Sequence, residues 1–267
     1  LVEGTHHLAA GHFTSRVQAS SRDELGRLAQ DFNRLASTLE KNEKMRRAFM
    51  ADISHELRTP LAILRGELEA IQDGVRKLTP ESILSLQGEV TTLTKLVDDV
   101  HQLSLSDEGA LAYRKSQTDL VPLLELVSGN FRHRFEQHPL SLTLTLPDQA
   151  PQFGDPDRLM QLFTNLLENS LRYTDPGGTL HIILRPTASG NILHFDDSAP
   201  GVSNEQRQQI FERFYRAEGS RNRASGGSGL GLAICQNIVE AHDGTIVAEH
   251  SDAGGVRITV HLPYKTH

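Results

Sequence analysis

The sequence predicts a multidomain chain, with an α-helical part built as a dimeric coiled coil and four-helix bundle, followed by an α+β two-layer sandwich. Three observations predict it. Leu25, Leu28, Phe32, Leu35 and Leu39 alternate spacings of three and four, a heptad seam that asks for partner helices. Two longer helical stretches follow, with apolar rows at Phe49, Ile53, Leu57, Leu61, Leu64 and Leu68 and at Ile83, Leu86, Val90, Leu93, Leu96, Val97, Val100 and Leu103. From Ser116 onward the pattern changes to short runs alternating with period two, at 140–146, 180–184 and 192–195, and closes with a hairpin at 246–248 and 256–262.

Taken in order, residues 1–20 read as a short helix and an extended connector, with a helical restart at Arg22-Asp23-Glu24-Leu25-Gly26. Leu1 falls inside a helical pattern and is not preceded by an initiator Met, so the chain reads as a piece of a longer protein. The seam helix continues through residues 41–47, but its apolar phase shifts between Leu39 and Met45, which is a stutter. Pro60 removes one backbone hydrogen bond and is expected to bend the helix just after Thr59. Gln72-Asp73-Gly74 to Thr79-Pro80-Glu81 reads as a turn and a helix start. Two antiparallel helices sharing one apolar face make half of a four-helix bundle, so a homodimer is expected. The sandwich is expected to carry helices at 119–136, 155–172, 203–213 and 229–242, and the domains to fall at 1–40, 41–115 and 116–267.

Composition narrows the function. The chain has 267 residues, 37% hydrophobic and 23% charged, enough for two or three modules. A net charge of -7, with no Lys/Arg tract interleaved with aromatics, argues against direct nucleic-acid binding. The single Cys235 excludes a disulfide framework within one chain and reads as a small core residue of a protein from a reducing compartment. Thirteen histidines suggest a metal, but His6, His7, His12, His133 and His138 lack supporting ligands at metal spacing. No run of 18 apolar residues and no signal peptide occurs.

The chemistry concentrates in two places. At roughly 100° per residue, His55 lies about 160° round from Leu57 and faces away from the apolar row. Glu56 is its neighbour and can accept a proton from one imidazole nitrogen while the other attacks a phosphorus; Thr59 lies one turn along on the same face as His55. A nucleophilic histidine needs a phosphoryl donor, and four later motifs share that explanation. Asn165, Asn169 and Arg172 or Tyr173 occupy one helical face, where amide oxygens suit Mg2+ and a guanidinium suits phosphate. Asp196-Asp197-Ser198-Ala199-Pro200-Gly201-Val202 ends a strand with a carboxylate able to accept from an exocyclic amine such as adenine's. Gly226-Gly227-Ser228-Gly229-Leu230-Gly231-Leu232-Ala233-Ile234 runs into an apolar helix, a combination that brings backbone N–H groups to phosphate. The aromatic and basic run at 210–216 lies between the last two.

Neither common phosphate loop is present, and the protein-kinase motif set is missing. In this order the motifs resemble the GHKL (Bergerat) ATP-binding fold shared by sensor histidine kinases, type II topoisomerases, Hsp90-type chaperones and MutL proteins. With the His55 segment and the seam of residues 1–40, the whole chain resembles a bacterial two-component sensor histidine kinase, truncated at its N-terminus inside a HAMP relay. The runs DISHELRTPLAILRGELEAIQDG, LMQLFTNLLENSLRYTD and GSRNRASGGSGLGLAI are similar to those of an envelope-stress sensor of that family. The resemblance implies that His55 is the phosphoacceptor, Glu56 its general base and Thr59 the residue orienting water for dephosphorylation of a cognate response regulator. It further implies that Asn169 and Asn165 hold Mg2+ and the triphosphate of ATP, that Arg172 meets phosphate and Tyr173 the nucleoside, and that Asp197 receives the adenine amine. Gly201 would permit the turn beside the base, and Gly227, Gly229, Leu230 and Gly231 would line the phosphate lid. Ala199 departs from the family, which usually has glycine there. The resemblance also implies an anchor in the bacterial inner membrane through segments outside this chain, which would itself lie on the cytoplasmic side. Two functions from other classes stand beside this reading: an ATP-driven clamp without a phosphorylated histidine, and a scaffolding dimer without ATP.

Overall fold

The structure, a computed structural model, describes residues 2–18, 23–216 and 227–264. The chain forms two compact units, residues 1–65 and 66–267, each described here by itself.

In the first unit, helix α1 (Val2–Ala9) leads into a connector, and α2 (Glu24–Gln72) begins the long rod. The connector is held by one side chain: the Asn33 amide accepts from Val17 N–H at 2.9 Å and donates to Val17 C=O at 2.8 Å. Arg16 reaches Glu40 at 2.6 Å, and Lys44 reaches the same carboxylate at 2.7 Å; these contacts hold the Glu40 carboxyl below its ordinary range. The expected seam divides in two. Phe32 is buried with Ala29 and Ala36, and a Cβ at Gly4 would meet Val17 and Phe32, so this row packs inside the chain. Leu25, Leu28 and Leu35 stay exposed. The small Ala side chains, which the leucine spacing hid, let α1 and the connector lie close.

The second unit begins with the last turns of α2. The chain reverses at Gly74, whose φ of +73° suits glycine. Helix α3 (Pro80–Asp107) starts with a capping box, in which Thr79 and Ser82 satisfy each other's backbone N–H groups, and with Pro80 in its first turn. Strand β1 (Ser116–Asp119) pairs antiparallel with β3 (Pro151–Gly154), a small sheet that the sequence reading did not foresee. Helix α4 (Leu120–Gln137) and β2 (Ser141–Thr145) lie between them in sequence. Then come α5 (Pro156–Tyr173), β4 (Thr179–Pro186), β5 (Gly190–Ser198), α6 (Asn204–Gln209), α7 (Gly231–Ala241), β6 (Thr245–His250) and β7 (Gly254–Pro263). The main sheet has the order β2-β4-β5-β7-β6, with β2 and β4 parallel and the other pairs antiparallel. The helix expected at 203–213 is shorter, because α6 ends at Gln209 and Phe214 adopts φ +59°.

Leu180, Ile182, Leu193, Phe195, Val260 and Leu262 line one face of the sheet and are fully buried, as are Leu159, Leu162, Phe163, Leu166 and Leu167 of α5. Phe163 stacks on Phe195 at 6.3 Å. At one end, buried His242 ties α7 to α5: its Nε2 accepts from Asp155 N–H at 2.9 Å and its Nδ1 donates to Ile238 C=O at 2.7 Å. Burial disfavours the charged ring and so lowers its pKa, against the Ile238 carbonyl, which raises it; the acceptor role of Nε2 likewise needs the neutral ring. The unfolded chain therefore takes up the proton first, and His242 is expected to withdraw stability as pH falls below about 6.5. A His242→Gln variant whose melting temperature falls as steeply with acidification as the parent's would contradict this.

Candidate functional site

His55 lies on α2 in the first unit with its side chain exposed, as does Thr59 one turn further on; Glu56 is half-buried. No hydrogen bond joins His55 to Glu56 among the described residues; adjacent side chains point about 100° apart round a helix. The helix passes through Pro60 unbroken, and Pro60 is buried. Having no N–H, Pro60 leaves the Glu56 carbonyl without its usual helical donor.

The second cluster lies in the second unit and gathers around α5 and the start of α7. A side chain on one face of α5 recurs every three or four residues, so Asn165, Asn169 and Arg172 share a face. Asn165 is buried and donates from its amide to Gly231 C=O at 3.4 Å, which leaves its carbonyl oxygen for another partner. That oxygen suits a hard cation. Asn169 and Tyr173 are half-buried and make no side-chain hydrogen bond among the described residues. Arg172 lies directly against Gly227: a Cβ there would collide with its Nη1. Gly229 has φ +69° and packs on the Phe214 backbone, whose N–H donates to Gly229 C=O at 3.1 Å. The two flanks of segment 217–226 are thereby stapled together; the part of the glycine motif and of its preceding run that falls at 217–226 lies outside the described residues.

Helix α7 begins at Gly231 with Leu230, fully buried, as its N-cap and no capping side chain among the described residues. The first N–H groups of such a helix, together with its dipole, favour an anion. Asn165, Arg172, Gly227, Leu230 and Gly231 thus meet at one cradle with the chemistry for phosphate. Replacing Gly227 by Ala is expected to move the flexible Arg172 head rather than the backbone. ATP affinity should then fall by roughly tenfold or less while the melting temperature holds. A calorimetric titration giving the parent's affinity would refute the placement of Arg172.

Asp197 ends β5 and is buried. Its Oδ1 accepts from Val256 N–H at 2.7 Å, and its Oδ2 meets the Ser170 hydroxyl at 3.5 Å. Burial pushes its carboxyl up to about 7; these two donors oppose the shift and neighbouring Asp196 adds to it. Ser170, one residue after Asn169, therefore ties the cradle helix to the carboxylate. Gly201 is exposed, and a Cβ there would lie 3.0 Å from the Gly254 carbonyl. Gly255 is tighter still, since a Cβ would run into Asp197 Oδ1 and the Ser198 carbonyl. Ala199 is exposed and its carbonyl accepts from Asp175 N–H at 3.0 Å. Sequence reasoning gave no role to Ser170 or Ser228, although both lie inside the quoted motifs, and it missed Gly255, whose only signal is the glycine pair 254–255 as a turn before the last strand.

Comparison with known proteins gives the family. Residues 154–266 match the family of histidine kinase-, DNA gyrase B- and HSP90-like ATPases, residues 45–109 the His Kinase A (phospho-acceptor) domain, and residues 1–41 the HAMP domain. The chain is 71% identical over 263 residues to the signal transduction histidine-protein kinase BaeS of Escherichia coli K12, covering 98% of this chain and 56% of that protein. It is 34% identical over 232 residues to the sensor histidine kinase WalK of Bacillus subtilis, covering 85% of this chain and 38% of that one. The chain therefore spans about half or less of these relatives' length. Among solved structures, the Acinetobacter baumannii histidine kinase AdeS superposes with a TM-score of 0.69 at 31% identity, covering 79% of this chain and 98% of that one. The chain belongs to the histidine kinase family.

Proposed function

We propose that this chain is the signalling part of an inner-membrane sensor histidine kinase of the envelope-stress type, with a HAMP relay at 1–40, a phosphoacceptor hairpin at 41–115 and an ATP-binding domain at 116–267. Among the described residues no helix is long and apolar enough to cross a membrane; in this reading the anchor lies in segments outside this chain. The observation that carries the reading is the phosphate cradle of Asn165, Arg172 and the uncapped α7 start, in a chain that also presents an exposed His55.

In this reading Asp197 accepts the adenine amine, Tyr173 lies against the nucleoside, and Arg172 with the N–H groups of residues 227–231 holds the phosphates. Mg2+, when bound through Asn169 and Asn165, offsets phosphate charge. One nitrogen of His55 attacks the γ-phosphorus as the bond to the β-phosphate oxygen breaks, ADP leaves, and Glu56 takes the proton from the other nitrogen. The phosphoryl group then passes to an aspartate of a separate BaeR-like response regulator. Thr59, on the same helix face as His55, orients the water that later hydrolyses the aspartyl phosphate.

Leu28 and Leu35, 54% and 53% exposed, and Ile83, Val90 and Val97 supply the apolar faces for a homodimer. Cross-linking Leu28→Cys or Leu35→Cys pairs across that dimer is expected to change the autophosphorylation rate, because residues 1–40 would transmit signal as altered helix packing. Unchanged rates would refute the relay. The assignment as a whole is tested with γ-labelled ATP. Label should enter the protein in a form stable to alkali and labile to acid, and should leave it on mixing with the regulator. Protein that binds ATP and never acquires label would favour the clamp function instead.

A further inference from the structure

Helix α3 presents two faces. Ile83, Val90 and Val97, spaced by seven, stay exposed. Lys95, Asp99, Gln102 and Ser106, at steps of four, three and four, face the sandwich. Lys95 pairs with Glu168. Gln102 and Gln161 exchange two amide hydrogen bonds of 2.7 and 3.2 Å, and Asn237 donates to the Ser106 hydroxyl at 3.1 Å. Asp107, at the helix end, receives the Arg213 guanidinium through bonds of 2.8 and 2.5 Å. Such a polar contact between helix and sandwich is the kind that forms and releases.

Asp99 stands apart from that row because it is only 6% exposed. It lines, with Lys95, Asp98, Thr164 and Asn165, a cleft of about 530 Å3. The Ser228 hydroxyl favours the ionised form of that carboxyl, and Leu230 N–H donates to the hydroxyl oxygen at 3.3 Å. Asp99 shares that cleft with Asn165, whose amide donates to the Gly231 carbonyl at the start of α7. Burial pushes this carboxyl up to about 6, Lys95 opposes the shift, and Glu168 and Asp98 add to it. A buried carboxylate is costly unless something uses its charge. What it faces is Ser228 and, beside it, the start of α7, whose N–H groups and dipole attract anions.

We infer that Asp99 is a tethered anion at the phosphate cradle, which competes with the phosphates of ATP for Ser228 and the start of α7 and thereby sets the nucleotide affinity of the chain. The inference rests on the reading of residues 227–231 as the phosphate cradle. Asp99 touches no reacting atom in this account; it acts through the cradle's electrostatics.

The test compares ATP with adenosine, which lacks phosphates, by calorimetric titration of the full chain. In Asp99→Asn, which keeps the shape and removes the charge, ATP should bind roughly fivefold or more tightly while adenosine affinity stays constant. Asp99→Ser should do the same and serves if the amide variant fails to fold. Asp107→Asn loosens the other end of α3 without touching the cradle and should leave ATP affinity near the parent's. Unchanged or weaker ATP binding in the Asp99 variants overturns the inference, as does an equal gain for adenosine or an equal effect of Asp107→Asn. A parent chain that binds neither ligand overturns the nucleotide reading itself, and this inference with it.

Discussion

Replacing Asp197 by Ala is expected to weaken ATP binding by roughly ten- to a hundredfold, the loss that follows removal of a hydrogen bond to a charged acceptor of about 1.5–3 kcal/mol. Two donors fix the Asp197 carboxylate in place. Val256 N–H fixes Oδ1, and the Ser170 hydroxyl orients Oδ2 from the helix that carries Asn165 and Asn169. Because burial raises the carboxyl to about 7, the free protein takes up a proton there as pH falls through neutrality. An amine donor favours the ionised form, so binding must expel that proton. Affinity should therefore be full above pH 7 and decline by up to about tenfold per unit below it. The decline should vanish in Asp197→Ala. A parent whose affinity is flat between pH 6 and pH 8 would refute the assignment of this carboxylate to the base.

Gly255→Ala should produce a comparable loss by a different route. The added methyl meets Asp197 Oδ1 and two backbone carbonyls, of Ser198 and Asp197, in the stretch where the β5–β7 register shifts. Backbone oxygens in a paired sheet cannot swing aside as a side-chain end can, so the strand itself must move. Overpacking of this kind costs about 1–3 kcal/mol of stability, and it displaces the carboxylate that Val256 N–H was holding. The expected result is a melting temperature lower by several degrees together with an ATP affinity close to that of Asp197→Ala. A variant that melts lower but binds ATP normally would separate the fold of β7 from the site and contradict the coupling.

The long helices were legible because their apolar positions recur at helical spacing over many turns, and β2, β4, β5 and β7 because inward and outward residues alternate. Strands β1 and β3 were not, since Ser-Gln-Thr-Asp and Pro-Gln-Phe-Gly have four residues each and no alternation; their pairing comes from the chain returning after α4. The leucine seam at 25–39 was only half readable. Nothing in the spacing of Phe32 shows that α1 and the connector cover it, because that depends on Gly4 and Val17 arriving from elsewhere. The site divides the same way. Asn165, Arg172, Gly227 and Gly231 carry their chemistry in local motifs, and the fold brings them together. Ser170 and Gly255 act only through register and long-range contact: Ser170 looks like an ordinary helical serine until β5 delivers Asp197 beside it.

We propose that the exposed imidazole of α2 and the cradle of α5 and α7 serve one phosphoryl transfer while remaining separate in binding. It is tested most directly in His55→Ala, by measuring γ-labelled phosphate incorporation and ATP affinity on the same preparation. Label should disappear while ATP binds as in the parent. Acid-labile label persisting in His55→Ala, on a protein of unchanged ATP affinity, would contradict it.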